Sequence, residues 1–208
     1  MAWDRDGIVG VALALLDEVG LDQLTTRTLA ERLGVKQPAL YWHFPSRQAL
    51  LAAMQARVLA DAHPRREPLD EENWRDFLHA HAASLRAALL SRRDGARLHA
   101  AADMAPDPAL LDRQIECLVA GGLSPADSLD ILLALTRYTL GCALEEQAAP
   151  RPAPGDTPVP LLGQALDSYR RHGTQAASEA AFQAGLAMLL EGAVLRQARK
   201  NTTRDRVA

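Results

Sequence analysis

Cysteine is nearly absent: only Cys117 and Cys142 occur, with no Cys-x-x-Cys spacing, and both lie in apolar helical stretches. They are expected as buried, reduced thiols, not as a metal or redox site. Aromatic residues make up only 4% of the chain, and no run of alternating β-branched residues occurs, so strands are not expected. The apolar stretches are interrupted by charge, and the first residues carry Asp4, Arg5 and Asp6 with no signal-peptide core. A soluble, cytoplasmic chain with no membrane partner is expected. Positive charge is not in excess: the formal net charge is −3, which argues against an indiscriminate nucleic-acid coat protein. There is no internal repeat, nucleophile elbow, His-Glu-x-x-His run or phosphate loop.

Leucine and alanine are plentiful, and 208 residues at 48% hydrophobic can close a core in one large or two small domains. Within this acidic chain, Arg27 to Arg47 holds Arg27, Arg32, Lys36 and Arg47 against the single acid Glu31, a local +3. Binding to a polyanion would therefore be focused on one face and sensitive to salt.

The same stretch, TTRTLAERLGVKQPALYWHFPSR, has the grammar of two short helices. Thr25 or Thr26 can cap the first, with Leu29, Ala30 and Leu33 on one face. Gly34 supplies the left-handed turn, and Val35 offers an apolar side chain to tuck beneath it. Pro38 suits the first position of the second helix, with Gln37 at its cap, and Phe44-Pro45 ends it. Leu40 is its one evident anchor. Gln37, Tyr41, Trp42 and His43 remain exposed together beside Lys36 and Arg47, which suits a helix lying in a DNA major groove.

This string resembles the DNA-binding domain of the TetR family of bacterial repressors. LTTRTLAERLGV followed by QPALYWHF is most similar to its tetracycline-repressor branch. The resemblance implies that Arg27 reads a guanine and that Gln37, Pro38 and Ala39 touch base edges. Tyr41, Trp42, His43 and Arg47 would hold the phosphates and groove wall.

Ile8, Val11, Ala12, Leu15, Leu16 and Val19 predict a first helix ending at Gly20, which completes a three-helix head over residues 1–46. Residues 47–208 form a second, helical domain. Ser46 caps a helix toward His63-Pro64, a natural lever between the head and whatever lies near His63. Further helices are expected from Trp74 to Arg92, around His99, through Leu111 to Val119, and from Ser124-Pro125 to Glu146, the last with leucines on all sides. Residues 148–160 hold five of the 12 prolines and read as an extended loop. A final helix from about Ala177 to Arg199 carries Gly185 and Gly192 where another helix can approach closely. Together with the Ser124 to Glu146 helix it is expected to form a four-helix interface in a homodimer. Residues 200–208 read as a flexible tail, with a second DNA contact as the other reading. The fold class is all-α.

His63, His81, His99, Gln114 and Glu145 are polar residues on otherwise apolar helix faces, which suggests a polar pocket lining. The resemblance extends here through SLRAALLSRRDGARLHA, LLDRQIECL and LGCALEEQ. It implies a pocket for a tetracycline chelated to Mg²⁺: His63 and Gln114 on the drug, His99 on the metal, and Glu145 of the partner subunit on metal-bound water. The pattern departs at His81, where the family has asparagine, at Leu85, where it has phenylalanine, and at Ala102, where it has threonine. Asp103-Met104 replaces an Arg-Pro pair.

The leading expectation is a non-enzymatic, homodimeric repressor that binds a palindromic operator and is released by a small-molecule inducer, Mg-tetracycline or another aromatic or chelating metabolite. The alternatives are a metal-sensing repressor and a metal-dependent enzyme built on His79, His81, His99 and Glu145.

Overall fold

The computed structural model describes residues 3–148, 161 and 174–205, with side chains in the last segment from 178 to 198. Asp4 accepts the N–H of Gly7 and starts α1 (Arg5–Val19), which ends at Gly20 with φ +81°. Thr25 and Thr28 form a reciprocal capping box for α2 (Thr26–Leu33), which Gly34 terminates in the left-handed region at φ +68°. Val35 donates back to the Ala30 carbonyl, tightening the turn as the sequence suggested.

The next helix is offset from expectation by one residue. In α3 (Gln37–Tyr41) the cap is Lys36, and Gln37 and Pro38 occupy the first two positions. Proline is tolerated there because that first-turn N–H has no partner within the helix. The helix also stops at Tyr41, short of Phe44, although the Phe44 N–H still reaches the Leu40 carbonyl at 2.8 Å. Phe44 is buried and anchors this segment beside Leu40.

Ser46 accepts the N–H of Ala49 and caps α4 (Arg47–Ala62), as expected. The head's core does not stop at residue 46. It includes Leu50, Leu51, Met54 and Val58 of α4, together with Leu98 and Ala102 from the segment of α6 (Gly95–Ala101) and its cap. Full burial of Leu98 contributes roughly 1.5–3 kcal/mol to holding α6 on the head.

The remaining helices are α5 (Trp74–Leu90), α7 (Pro108–Ala120), α8 (Pro125–Gln147) and α9 (Thr174–Asp205), with no strand among the described residues. Trp74, Phe77, Leu78, Leu118, Leu132, Phe182 and Leu186 make one core of this body. A smaller cluster of Leu59, Leu85, Leu89, Ala96 and Ala143 joins α4, α5, α6 and α8. Gly95 is required at the start of α6, because a Cβ there would lie 2.3 Å from the Leu89 carbonyl oxygen.

Several expectations need correction. The leucines of α8 are not covered on all sides by their own chain: Leu132 and Leu135 are buried, Leu129 and Leu144 half-buried, and Leu133 exposed. Glu145 is exposed, because it points away from the cluster on which its neighbour Leu144 packs, and Val119 is exposed too. Cys117 and Cys142 are free thiols but only half-buried. The last helix runs further than Ala177 to Arg199 at both ends. Gly185 does receive a neighbour, Tyr138 of α8, whose hydroxyl donates toward the Ala181 and Phe182 carbonyls. Among the described residues nothing lies within 4 Å of a Cβ placed at Gly192. The proline-rich loop, apart from Ala148, lies outside the described residues.

Candidate nucleic-acid interface and ligand site

The head presents α3 outward. Gln37, Pro38, Ala39, Tyr41 and Trp42 are exposed, Trp42 to 90% of its surface, whereas His43 is half-buried. A tryptophan this bare contributes nothing to the core, and with Tyr41 it forms an aromatic edge at the end of the short helix. Gln37 is not free to sample rotamers, since its amide donates to Thr26 Oγ at 2.9 Å. Thr26 thus sets the Gln37 side chain, a role its place next to the capping threonine did not reveal.

Arg27 lies on the exposed face of α2 and pairs with Glu31 one turn on at 3.0 Å, with both side chains largely in water. Arg47 donates to the Leu21 carbonyl at 3.4 Å and is itself exposed. Arg5 donates to the His43 carbonyl and lies over the Phe44 ring, so α1 fixes the loop behind the aromatic pair.

At the far end of α4, three imidazoles gather. His63 caps α4, is buried, and places Nδ1 2.8 Å from Ser84 Oγ. Its ring meets His81 edge-on with centroids 4.8 Å apart, and His81 packs on Phe77. His81 Nδ1 donates to the Arg65 carbonyl at 3.0 Å. His99, half-buried on α6, has Nδ1 2.9 Å from the Gln55 amide nitrogen. Gln114 donates to the Arg66 carbonyl at 2.6 Å and ties α7 to the segment after α4.

Burial holds all three imidazoles below the ordinary histidine range. His63 falls to about 3, through desolvation first and then the neighbouring charges of His81, Arg66 and His99. His81 and His99 are lowered for the same primary reason, the Arg65 carbonyl partly opposing the shift at His81. At neutral pH each ring therefore carries one N–H and one lone pair, which suits hydrogen bonding to a polar ligand or metal ligation.

Not every predicted residue joins this group. Ala102 is fully buried in the head's core and does not line the imidazole cluster. Leu85 belongs to the aliphatic cluster between α4, α5, α6 and α8. His79 is exposed on the other side of α5, where it meets Gln183 of α9. Among the described residues no three His, Cys, Asp or Glu side chains are placed to hold a metal together. A protein-only centre from His79, His81, His99 and Glu145 is thus not formed.

Gln55, Arg86, Asp127, Ser128 and Thr139 are buried polar residues that periodicity did not single out. Gln55 sits one turn from both Leu51 and Leu59 on the inner face of α4 and is fully buried. Thr139 is fully buried on α8, and its hydroxyl has no partner among the described residues. The sign that marked His81, a polar residue at apolar spacing, was present for Gln55 too.

Residues 8–54 match the family model described as bacterial regulatory proteins, tetR family, and residues 67–196 match that of the tetracyclin repressor-like C-terminal domain. The chain is 43% identical over 198 residues to the tetracycline repressor protein class A from transposon 1721 of Escherichia coli, covering 91% of this chain and 90% of that protein. It is similar to the crystal structure of TetR from Acinetobacter baumannii AYE, with a TM-score of 0.78 and 40% identity over 94% of this chain and 99% of the other. A further similar structure is TetR (class A) in complex with 5a,6-anhydrotetracycline and magnesium, with a TM-score of 0.69 and 38% identity over 90% and 95% of the two chains.

Proposed function

Because the chain belongs to the TetR family of bacterial regulatory proteins, we propose that it is a homodimeric repressor whose hold on a palindromic operator is released by a Mg²⁺-chelated tetracycline. One observation carries the coupling. Leu98 and Ala102 are buried in the head's core, while His99 between them turns to Gln55 on the inner face of α4. A ligand that moves His99 therefore moves side chains packed against the reading unit.

In this reading α3 enters the major groove. Arg27, Gln37, Pro38 and Ala39 meet base edges, and Tyr41, Trp42, His43 and Arg47 hold the backbone. Two heads would occupy successive grooves about 34–36 Å apart. The dimer rests on the face of α8 and α9 that the single chain leaves bare, where Leu133, Met188, Leu189 and Leu195 are exposed. Release needs a ligand that favours the form with the heads at another spacing.

His63 and Gln114 would hydrogen-bond the inducer. His99 suits a hard divalent cation as a single protein ligand, because its ring is neutral and half-exposed, so chelating oxygens and water can supply the other positions. Bound with the inducer, the cation would be held on the protein side by His99 and would supply positive charge that draws a chelating ligand into the pocket. Glu145 of the partner subunit would hold its water, in keeping with the exposure of Glu145 in one chain. His81 and the aliphatic setting of Leu85 favour a second reading, in which another chelating or aromatic metabolite takes the pocket. We assign the chain no catalytic role and a cytoplasmic place of action beside its operator; no single described helix is long and apolar enough to cross a membrane.

The test is fluorescence anisotropy of operator DNA titrated with tetracycline, with and without Mg²⁺. Mg²⁺-dependent release is expected. Tight binding without release selects the second reading, and release by metal alone means a metal sensor.

A further inference from the structure

Gln55 is wholly buried, and its carboxamide nitrogen lies 2.9 Å from His99 Nδ1. An amide nitrogen has only protons to offer, so in this arrangement Nδ1 accepts and the proton of the neutral ring sits on Nε2. That tautomer has no lone pair on Nε2 for a cation. The other end of the amide is equally notable, since Gln55 Oε1 is buried and has no partner among the described residues. A buried, unpaired amide oxygen costs about 1–3 kcal/mol.

Turning the amide over places Oε1 against Nδ1, where it accepts Nδ1–H and leaves Nε2 with its lone pair. The amide nitrogen then takes the unpartnered position. Either orientation leaves one end of the amide without a partner among the described residues, so turning it over costs little, and a cation held by His99 can shift the free arrangement to the other one. The neighbours of Gln55 one turn away, Leu51 and Leu59, are buried and apolar and offer no substitute acceptor.

We propose that Gln55 is the positioning residue for His99: its carboxamide turns so that Oε1 accepts Nδ1–H, leaving Nε2 as the nitrogen that meets a cation carried by the inducer. The inference deepens the Mg-tetracycline reading and rests on it. Cation binding at Nε2 polarises the ring and makes Nδ1–H a stronger donor. Without Gln55 that donor would be unpaired in the loaded state. The free state would lose only the pairing of a neutral lone pair, so the deficit falls mainly on metal binding.

The experiment compares the wild type with Gln55→Leu, which keeps the volume and removes both polar ends. Tetracycline fluorescence is titrated with Mg²⁺, and imidazole ¹⁵N spectra of histidine-labelled protein report which nitrogen of His99 carries the proton. The expected result is a loss of about 10–100-fold in apparent Mg²⁺ affinity in the variant, the usual size for a partner of a metal-bound imidazole. Operator binding without ligand should be unchanged, and the loaded wild type should show His99 protonated at Nδ1. Equal Mg²⁺ affinities in the two proteins, or a proton on Nε2 in the loaded wild type, would overturn the proposal. If the wild type binds no Mg-tetracycline, the tetracycline reading fails, and the free proteins decide the role of Gln55. A single Nε2–H form of His99 that becomes a tautomer mixture in Gln55→Leu upholds the positioning role. Identical spectra end it.

Discussion

The backbone N–H of Leu21 donates to Asp94 Oδ2 at 2.8 Å, which fastens the loop after α1 to the cap of α6. Three arginines reinforce the joint: Arg97 grips Asp22, Arg92 meets Asp17 at 2.6 Å, and Arg93 donates to the Glu18 carbonyl. Exposed pairs of this kind contribute little each, so the half-buried Asp94 bond should dominate. Asp94 also sits at φ +55°, which aspartate and asparagine tolerate better than alanine. Asp94→Ala should therefore cost about 1–3 kcal/mol in urea denaturation. Asp94→Asn, which keeps an acceptor and the backbone preference, should cost under about 1 kcal/mol.

Arg27 and Glu31 make a prediction about DNA affinity. Their pair is largely in water, so DNA can break it at small cost. Arg27→Ala should lose about 1–3 kcal/mol of operator binding and relax base preference at one position. Glu31→Ala frees the guanidinium and removes a negative charge from the face, so affinity should rise while preference is kept. Anisotropy against operator and single-base variants separates the two effects. An Arg27→Ala protein that binds operator normally would remove Arg27 from the base-reading set.

The head was legible in the sequence because local rules act there within a few residues: Thr25 caps, Gly34 turns, Leu29 and Leu33 anchor. The offset at α3 arose where two residues could serve as cap and neither Lys36 nor Gln37 makes a side-chain cap bond. Periodicity marked His81 and Gln114 as inward-facing, and both are buried with backbone partners. It could not place Ala102, because a small residue fits either side of α6 and only tertiary packing sends it into the head's core. The leucines of α8 mislead for a related reason. Periodicity marks apolar residues but not which face the chain's own helices cover, and Leu133 stays exposed.

Acid should weaken the fold through His63. Its folded value of about 3 lies below the ordinary histidine value of 6.5, so the unfolded chain takes up a proton first as pH falls. The stabilising difference is whole above about pH 6.5 and shrinks progressively down to about pH 3. His81 and His99, also lowered, act in the same direction. Urea midpoints measured from pH 7.5 to 4.5 should fall, and the slope should be shallower in His63→Asn. Parallel slopes would mean that His63 stays solvated enough to titrate normally.

The bare face of α8 and α9 should control assembly. Met188 is 71% exposed and Leu195 62% exposed, and no described residue covers Gly192. A charge at such a position is harmless in a monomer and costly in a desolvated interface. Met188→Glu should shift the protein toward monomer in sedimentation velocity and abolish tight operator binding, since one head alone reads half a site. A monomeric wild type with unchanged behaviour in the variant would place the dimer contact elsewhere.

Arg86 joins three helices from a buried position. It meets Glu146 of α8 at 2.6 Å and Glu179 of α9, and its guanidinium lies over the Phe182 ring at 5.1 Å. Glu146 is the more enclosed partner, at 20% exposure against 49% for Glu179, so loss of Arg86 strands mainly Glu146. Arg86→Met removes the charge while retaining length, and should destabilise by about 3 kcal/mol, the lower end for breaking a buried pair. Arg86→Met combined with Glu146→Leu should recover most of that loss, because no buried charge remains unpaired. Urea denaturation of the two variants distinguishes an ion pair that matters through the charge it neutralises from one that matters through packing on Phe182. In the latter case the double variant would be no more stable than the single one.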